Sequence, residues 1–468
     1  MSEDYKKLRK QLFSARQNGY DRLDKKELAA MESYCAGYMS FLDASKTERL
    51  CAAEAVRMAE DHGYGPYVRG QSLKIGDKVY VNNRGKSVLL ARIGRLPLSA
   101  GVQIAAAHID SPRLDLKPNP LYEESELAFL KTHYYGGIRK YQWVTIPLEL
   151  RGIIALKNGG TVPVNLGADK GDPKLVITDL LPHLGQEQGK KPLNQAIPGE
   201  TLNLLLGSRP IGGAEDKDRV KLAVMKLLHE KYGITEDDLT SAELEAVPAG
   251  NAVEIGLDRS MIGAYGHDDR VCAYAALKAL LDLDKTPEKT ALCVLADKEE
   301  IGSVGVTGIR SVAFDGFLED LCAAQKVYTR TCRERSFCLS ADVTAAFDPD
   351  YADVYDKRNA AYLNHGVGLC KYTGARGKSG ASDADAETVA YVRRIFDEAD
   401  VVWQMTELGK VDAGGGGTVA AYMANRNIAT LDAGVPVLSM HAPFETVGKL
   451  DCYETYKGML AVYRSSFS

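Results

Sequence analysis

Several features that define large classes of proteins are scarce in this 468-residue sequence. No apolar run is long enough to span a bilayer, which argues against an integral membrane protein. The opening residues, MSEDYKKLRKQLFSARQ, lack the apolar segment of a secretory signal, so we expect a cytoplasmic location. The formal net charge is −5, so the chain lacks the excess of basic residues that is typical of a nucleic-acid-binding protein. We therefore expect neither a membrane nor a nucleic-acid partner.

The cysteines are too scattered to form a metal site of their own. There are nine, an odd number, without a CxxC motif or the clustered Cys/His spacing of a zinc site. We expect reduced thiols, as is usual in a cytoplasm. Cys293 and Cys338 lie inside apolar runs, where a thiol packs as a small hydrophobe. Any metal should therefore be held by histidines and carboxylates.

The apolar pattern divides the chain into three segments. Residues 1–112 and 256–468 alternate between helical periodicity and short apolar strands, which indicates an α/β domain. Residues 113–255 are instead punctuated by prolines and short strands, with one helix within 217–231. We predict that this middle segment is a mostly β domain inserted between the two parts of an α/β domain.

Individual elements follow from the same patterns. We predict helices within 42–59, 270–283, 317–325, 383–399 and 453–463, and strands at 77–82, 87–94, 102–110, 143–151, 291–296, 337–343 and 435–441. The strand at 291–296 is apolar throughout, as is typical of a strand buried on both faces. It changes abruptly to Asp297, Lys298, Glu299 and Glu300. In open α/β sheets the chemistry lies beyond the carboxyl ends of the strands, so this turn is a candidate site.

Histidines and carboxylates lie at five such strand and helix ends. They are His108 with Asp110, Asp268 with Asp269, Glu299 with Glu300, Asp342, and His441. Each one alone would be a helix cap or a solvated surface group. Together, two histidines and several carboxylates suit a pair of Zn²⁺-like ions, with one histidine on each and a carboxylate between them.

Such a pair has a specific chemical use. Two neighbouring ions can activate one water molecule and polarise a carbonyl at the same time. A nearby carboxylate that is not a ligand can take the proton of the water and return it to a leaving amine. The sequence therefore predicts a metal-dependent hydrolase.

The motifs around these residues resemble the aspartyl aminopeptidase family of zinc aminopeptidases. They occur in the order of that family and span most of the chain: 107–114 (AHIDSPRL), 266–270 (GHDDR), 297–303 (DKEEIGS), 340–343 (SADV) and 439–441 (SMH). The resemblance implies a three-layer αβα zinc-peptidase catalytic domain formed by 1–112 and 256–468. It also implies that 113–255 is a dimerisation and lid domain.

The resemblance also assigns roles within the site. It implies His108, Asp268, Glu300, Asp342 and His441 as ligands of two divalent ions, with Asp268 bridging. Zinc is the expected metal, although cobalt or manganese also suit these ligands. Glu299 is implied as the general base, and Asp110 as the group that supports His108.

One position in these motifs departs from the usual family pattern. Many members have Asp-Asn where this chain has Asp268-Asp269. This leaves open which of the two carboxylates bridges the ions, and we expect Asp268. By analogy with related sites, we also expect a cis peptide bond between them.

Substrate contacts are implied in three further places. His183 is similar to a family histidine that reaches into the site of a neighbouring subunit. The backbone of Gly414–Gly417, with Gly415 in it, is implied near the substrate, and Asp412 close by. Arg376 and Lys378, together with Lys371, lie where family members that favour acidic N-termini use basic side chains.

The resemblance therefore implies an aminopeptidase that acts on peptides and prefers N-terminal Asp or Glu. It further implies a self-associating chain that forms a dodecamer enclosing its active sites. Two alternatives stay open: the same mechanism with a neutral or apolar preference, and another dinuclear hydrolase such as a carboxypeptidase or deacylase. A non-catalytic protein on a peptidase fold is disfavoured, because the full set of ligands and base is kept.

Overall fold

The computed structural model describes residues 3–14, 17–212, 217–374 and 376–467. The first part of the chain contains these elements: α1 (Glu3–Leu12), α2 (Lys25–Ala44), α3 (Glu48–Asp61), β1 (Gly65–Pro66), β2 (Lys78–Asn83), β3 (Ser87–Arg92) and β4 (Val102–His108). The helix predicted over 42–59 is split between α2 and α3. Thr47 causes the break, because its side chain caps α3 by accepting the N–H of Leu50.

The middle part is mostly β. Its elements are β5 (Arg113–Glu124), β6 (Leu127–Tyr135), β7 (Leu148–Ala155), β8 (Thr161–Leu166), α4 (Gln186–Gly189), α5 (Leu193–Ala196), β9 (Leu204–Gly207), α6 (Arg219–Tyr232) and β10 (Ala242–Pro248). The strand predicted over 143–151 is wrong in its first half. Thr145 has a left-handed φ of 61° and Pro147 has no N–H to donate, so the strand begins only at Leu148.

The last part returns to alternating helices and strands. They are β11 (Val253–Ile255), β12 (Met261–Ala264), α7 (His267–Leu281), β13 (Thr290–Ala296), α8 (Ala313–Ala324), α9 (Thr329–Glu334), β14 (Phe337–Ala341), β15 (Thr344–Ala345), β16 (Val367–Cys370), α10 (Ala386–Glu398), β17 (Trp403–Met405), α11 (Val419–Ala424), β18 (Ala429–Gly434), β19 (Pro436–Leu438), β20 (Glu445–Gly448) and α12 (Lys449–Arg464).

A nine-stranded sheet forms the centre of the fold, in the order β1-β2-β3-β13-β4-β14-β18-β16-β17. Strands β13, β4, β14 and β18 are parallel neighbours. Both β4 and β13 are buried along their whole length, which explains their mostly apolar sequences.

Helices cover both faces of this sheet. Ala105 and Ala107 of β4 belong to a core with α2, α3, α7, α10 and α12, whereas Ile104 and Ala106 belong to a core with α8, α9 and α11. Side chains of a strand alternate between faces, so these two cores lie on opposite sides. The predicted α/β fold with three layers is confirmed.

A six-stranded antiparallel sheet lies outside the central one, in the order β8-β7-β10-β5-β6-β9. All of its strands come from the middle part of the chain, and it has its own apolar core around Trp143 and Leu204. The boundaries of an inserted domain at 112/113 and 255/256 stay predictions.

A third sheet of five strands, β11-β12-β20-β19-β15, brings together distant parts of the last segment. Here the strand predicted over 435–441 is too long, because β19 ends at Leu438 and both Ser439 and His441 have a left-handed φ. All nine cysteines are buried and free of disulfides. Within the described ranges, no helix is both long and apolar enough to cross a membrane.

Candidate metal centre

The carboxyl ends of three adjacent parallel strands meet at one edge of the central sheet. His108 is the last residue of β4, and Asp342 directly follows β14. Glu299 and Glu300 lie in a short 3-10 turn after β13. Asp268 joins them from the first turn of α7, and His441 from the segment after β19. All five predicted ligands are therefore brought to one place.

The carboxylate of Asp268 lies between the two histidines. Its Oδ1 is 3.1 Å from Nε2 of His108, and its Oδ2 is 3.1 Å from Nε2 of His441. The neighbouring Asp269 does not share this position, since its Oδ2 accepts the backbone N–H of His108 at 3.3 Å. The peptide bond between Asp268 and Asp269 is cis, so the prediction of this bond is confirmed.

The other carboxylates divide between the two histidines. Oδ1 of Asp342 and Oε2 of Glu299 each lie 3.9 Å from Nε2 of His108. Oε2 of Glu300 lies 3.6 Å from Nε2 of His441. In the described part of the chain, two sets of donor atoms lie within 4.8 Å of one another: those of His108, Asp268 and Glu300, and those of His108, Asp269 and Asp342.

Burial and crowding disturb the titration of these groups. Burial, reinforced by neighbouring carboxylates, raises the pKa of Glu299, and raises the pKa of Glu300 and of Asp342 well above their ordinary values. Burial also opposes charge on Asp268, but hydrogen bonds with both histidines hold the pKa of its carboxyl below its usual range. Carboxylates outnumber the cationic side chains, so the site attracts cations.

Buried oxygen atoms in this site lack hydrogen-bond donors. Among the described residues, Oδ1 of Asp269 and Oε1 of Glu300 are buried without a hydrogen-bond partner. Buried polar atoms are normally satisfied, and a metal ion is one of the partners that can satisfy them. Imidazole nitrogens and carboxylate oxygens are also the ligands that Zn²⁺ accepts. The residues present therefore fit a divalent metal.

Both histidines are held with Nε2 facing the carboxylates. Nδ1 of His108 lies 3.0 Å from the backbone carbonyl oxygen of Asp110, and Nδ1 of His441 lies 2.9 Å from that of Gly137. Each contact needs a proton on Nδ1, so Nε2 is the nitrogen that can give up its proton and bind a metal.

The Asp110 carboxylate supports more of the site than the single histidine that the sequence suggested. Its Oδ1 lies 3.4 Å from Nδ1 of His108. It also accepts the backbone N–H groups of Glu299 at 3.0 Å and Glu300 at 3.2 Å, and the hydroxyl of Tyr135 at 2.8 Å. Asp110 thus links the His108 ring to the turn that carries both glutamates.

Comparison with known proteins identifies the family. Residues 41–463 match the model described as Aminopeptidase I zinc metalloprotease (M18). A probable M18 family aminopeptidase 1 from Clostridium acetobutylicum is 48% identical over 452 residues, which cover 95% of this chain and 97% of that protein. This chain belongs to the M18 family of zinc aminopeptidases.

Solved M18 structures have the same fold. An aminopeptidase from Thermotoga maritima has a TM-score of 0.92 at 43% identity and covers 96% of this chain and 99% of its own. Aminopeptidase I from Clostridium acetobutylicum also has a TM-score of 0.92, at 46% identity, with 97% and 100% covered. The mApe1 dodecamer of S. cerevisiae, with a TM-score of 0.74 over 92% of this chain and 97% of that one, is only 19% identical and shows the fold alone.

A cavity of about 520 Å³ opens at the centre of this M18 site. Besides the five candidate ligands and Glu299, its wall contains mostly small and apolar residues: Gly302, Val343, Thr344, Cys370, Thr373, Leu408, Gly415, Gly416, Gly417, Thr418, Tyr422 and Met440. The predicted position of Gly415 at the site agrees with this lining. Within the described residues, neither lysine nor arginine lines the cavity.

The other predicted substrate contacts lie elsewhere. Arg376 and Lys378 line a smaller cavity of about 50 Å³, which shares Thr373 and Leu408 with the main one. Lys378 already has partners there: its Nζ lies 3.1 Å from the carboxylate of Asp383 and 3.9 Å from the centre of the Tyr372 ring. Asp412 and His183 are exposed and do not line either cavity.

Sequence reasoning missed three contributors to the site. Tyr135 and Gly137 come from the end of β6 and the turn after it, and Glu445 comes from the start of β20. Gly137 contributes its backbone carbonyl, and because every residue has one, the residue type at this position gives no signal. Glu445 follows His441 by four residues, and that short spacing is the one signal that could have marked it.

Proposed function

We propose that this M18 aminopeptidase holds two divalent metal ions, zinc or in its place cobalt or manganese, and removes the N-terminal residue of peptides. The ligands in this proposal are His108, Asp268, Glu300, Asp342 and His441. The observation that supports it most directly is the Asp268 carboxylate, whose two oxygens face the Nε2 atoms of two different histidines. One carboxylate between two histidines suits a pair of ions, because each of its oxygens can bind one ion beside one histidine.

Divalent ions bound here would polarise the scissile carbonyl and lower the pKa of a water molecule. Glu299 is the proposed general base, the role that the family resemblance implies for it, and it lines the cavity with its Oε2 3.9 Å from Nε2 of His108. Its raised pKa increases its affinity for the proton of the attacking water. The same carboxyl then returns that proton to the leaving amine as the peptide bond breaks.

The choice of N-terminal residue is a separate part of the proposal. The sequence predicts a preference for Asp or Glu through Arg376 and Lys378, and this preference stays a prediction. The cavity wall favours the alternative of a neutral or apolar side chain, since its described lining contains Leu408 and Met440 but no lysine or arginine. The proposed ligands occupy the bound ions, so an acidic side chain there would lack a lysine or arginine partner of its own.

Self-association through the middle part of the chain is also proposed. Leu180, Leu181 and Leu184, which flank His183, expose 54%, 49% and 69% of their surface. An exposed apolar group of this kind favours a protein contact, and a dimer would give His183 a route to the site of a neighbouring subunit. The dodecamer described for the S. cerevisiae relative is the assembly we propose for this chain, in a cytoplasmic location.

The test is an assay of metal-loaded protein against N-terminal aminoacyl reporters, with and without a chelator. Chelator-sensitive release that favours Leu or Met reporters is expected. A preference for Asp and Glu reporters would leave the proposed mechanism unchanged and would support the predicted specificity for acidic N-terminal residues. Absence of release from every reporter, with two metal ions bound, would support a carboxypeptidase or deacylase instead. Light scattering of the same sample would measure the assembly.

A further inference from the structure

Glu445 lies behind the metal centre and does not line its cavity. It is the first residue of β20 and is only 1% exposed. Its Oε1 accepts the backbone N–H of His441 at 2.7 Å, and its Oε2 accepts the backbone N–H of Asp268 at 3.1 Å. One buried carboxylate therefore holds the backbones of two candidate ligands.

These two ligands reach the site from distant parts of the chain. Asp268 lies in the first turn of α7 with non-helical backbone angles, and His441 lies after β19 with a left-handed φ of 66°. Their side chains nevertheless meet, with Oδ2 of Asp268 3.1 Å from Nε2 of His441. Neither backbone lies in regular secondary structure at that point. The contact therefore depends on the interactions that hold the two segments next to each other.

We propose that Glu445 is a positioning residue that sets the distance between Asp268 and His441, so that both present their ligand atoms to the same metal ion. The inference rests on the ligand roles in the proposed function. Partners outside the ligand shell commonly orient the ligands in this way, and their loss weakens metal binding by about 10–100-fold.

The chemistry requires a carboxylate of this length. Both partners of Glu445 are N–H donors, and a carboxyl group is the side chain that offers an oxygen acceptor to each of them. In Glu445→Gln, the amide NH₂ would face one of the two N–H groups, so one hydrogen bond is lost at nearly constant volume.

A matched control exists in Asp451. It is also a buried carboxylate that accepts two backbone N–H groups, those of Asn364 at 2.8 Å and Gly366 at 2.7 Å. It does not line the metal cavity. Asp451→Asn therefore makes the same chemical change in a similar environment, and it measures what such a change does to the fold alone.

The experiment measures metal affinity by equilibrium dialysis and elemental analysis of wild type, Glu445→Gln and Asp451→Asn. We expect Glu445→Gln to bind one of the two ions about 10–100-fold more weakly, to lose kcat at limiting metal more than it changes KM, and to regain kcat at high metal. Asp451→Asn should bind both ions as wild type does. Equal metal affinity in Glu445→Gln and wild type would overturn the proposal.

Two further variants separate the possible failures. If Glu445→Gln does not fold, Glu445→Asp, which keeps the charge but shortens the side chain, should show the same selective loss of one ion; wild-type affinity for both would overturn the proposal. His441→Ala tests the ligand assignment itself. If His441→Ala keeps both ions at wild-type affinity, the proposed ligand set fails, whatever Glu445 does.

Discussion

The hydroxyl of Tyr135 donates a hydrogen bond to the carboxylate of Asp110 across 2.8 Å, and the two residues come from different sheets. Tyr135 ends β6 of the six-stranded sheet, whereas Asp110 follows β4 of the central sheet. The next residues continue the contact, since the carbonyl of Gly137 lies 2.9 Å from Nδ1 of His441. The outer sheet thus helps to build the candidate metal centre.

Tyr135→Phe should reduce turnover without emptying the site. The change removes one of the donors to Asp110, whose carboxylate holds the turn with Glu299 and Glu300. A hydrogen bond to a charged group is worth about 1.5–3 kcal/mol, so kcat should fall by about tenfold or more. Steady-state kinetics and metal analysis would measure both effects. Tyr391→Phe, which alters a buried tyrosine hydroxyl bonded to Gln103, is the control and should keep wild-type kcat.

The two adjacent glutamates should respond differently to the same substitution. Glu299→Gln removes the proposed base but not a ligand, so kcat should fall by about 10²–10⁴-fold while both ions stay bound. Glu300→Gln removes a proposed ligand of the ion at His441, so metal content should fall first. Metal analysis beside single-turnover rates distinguishes these outcomes. Full turnover in Glu299→Gln would exclude its role as base.

The grouping of the candidate ligands could be predicted because it depends on a simple rule of α/β sheets. His108, Glu299, Glu300 and Asp342 follow buried strands that prove to be parallel neighbours, so the rule places them at one edge. The position of His441 was found although its predicted strand was three residues too long. Its family motif, rather than the strand pattern, identified it.

The supporting contacts could not be predicted in the same way. Tyr135 is separated from Asp110 by 25 residues and by a change of sheet, and its sequence neighbourhood is that of an ordinary strand. Gly137 contributes only its carbonyl. Arg376 and Lys378 illustrate the opposite case. Their residue type suggested substrate binding, but they line a separate cavity, because the packing of their loop determines where they lie.

Arg376→Ala and Lys378→Ala should leave the choice of N-terminal residue unchanged. Lys378 pairs with Asp383 outside the main cavity, so its charge is already compensated. The ratio of kcat/KM for Leu and Asp reporters should therefore stay within about twofold, well below the tenfold change that 1.4 kcal/mol would give. A selective loss of Asp and Glu turnover in either variant would support the acidic preference instead.

Metal removal should destabilise the protein as well as inactivate it. The site gathers partly buried carboxylates whose pKa values are raised by burial and by one another, and bound cations would relieve this repulsion. An ion at 100 times its Kd stabilises the folded state by about 2.7 kcal/mol. Thermal unfolding should therefore shift to lower temperature with chelator and recover with added zinc. A chelator saturated with zinc beforehand is the control and should cause no shift.

Asp451 should make the stability of this protein depend on pH. Burial raises the pKa of its carboxyl to about 8. The neighbouring Glu454 raises this pKa further, whereas the two backbone N–H donors lower it. An unfolded Asp titrates near about 3.9, so between these values the folded state binds more protons than the unfolded state. The contribution of Asp451 therefore favours folding most at low pH, and it is lost progressively as the pH rises toward 8.

Asp451→Asn removes this titration and should flatten the profile. Between pH 5 and 8, the free energy of unfolding of wild type should fall more steeply than that of the variant, by at most about 1.4 kcal/mol per pH unit. Urea unfolding of both proteins at several pH values, with the same chelator present, measures the difference and cancels the shared contribution of the metal ligands. Parallel profiles would show that Asp451 is ionised in the folded state throughout this range, because its hydrogen bonds to Asn364 and Gly366 then outweigh burial.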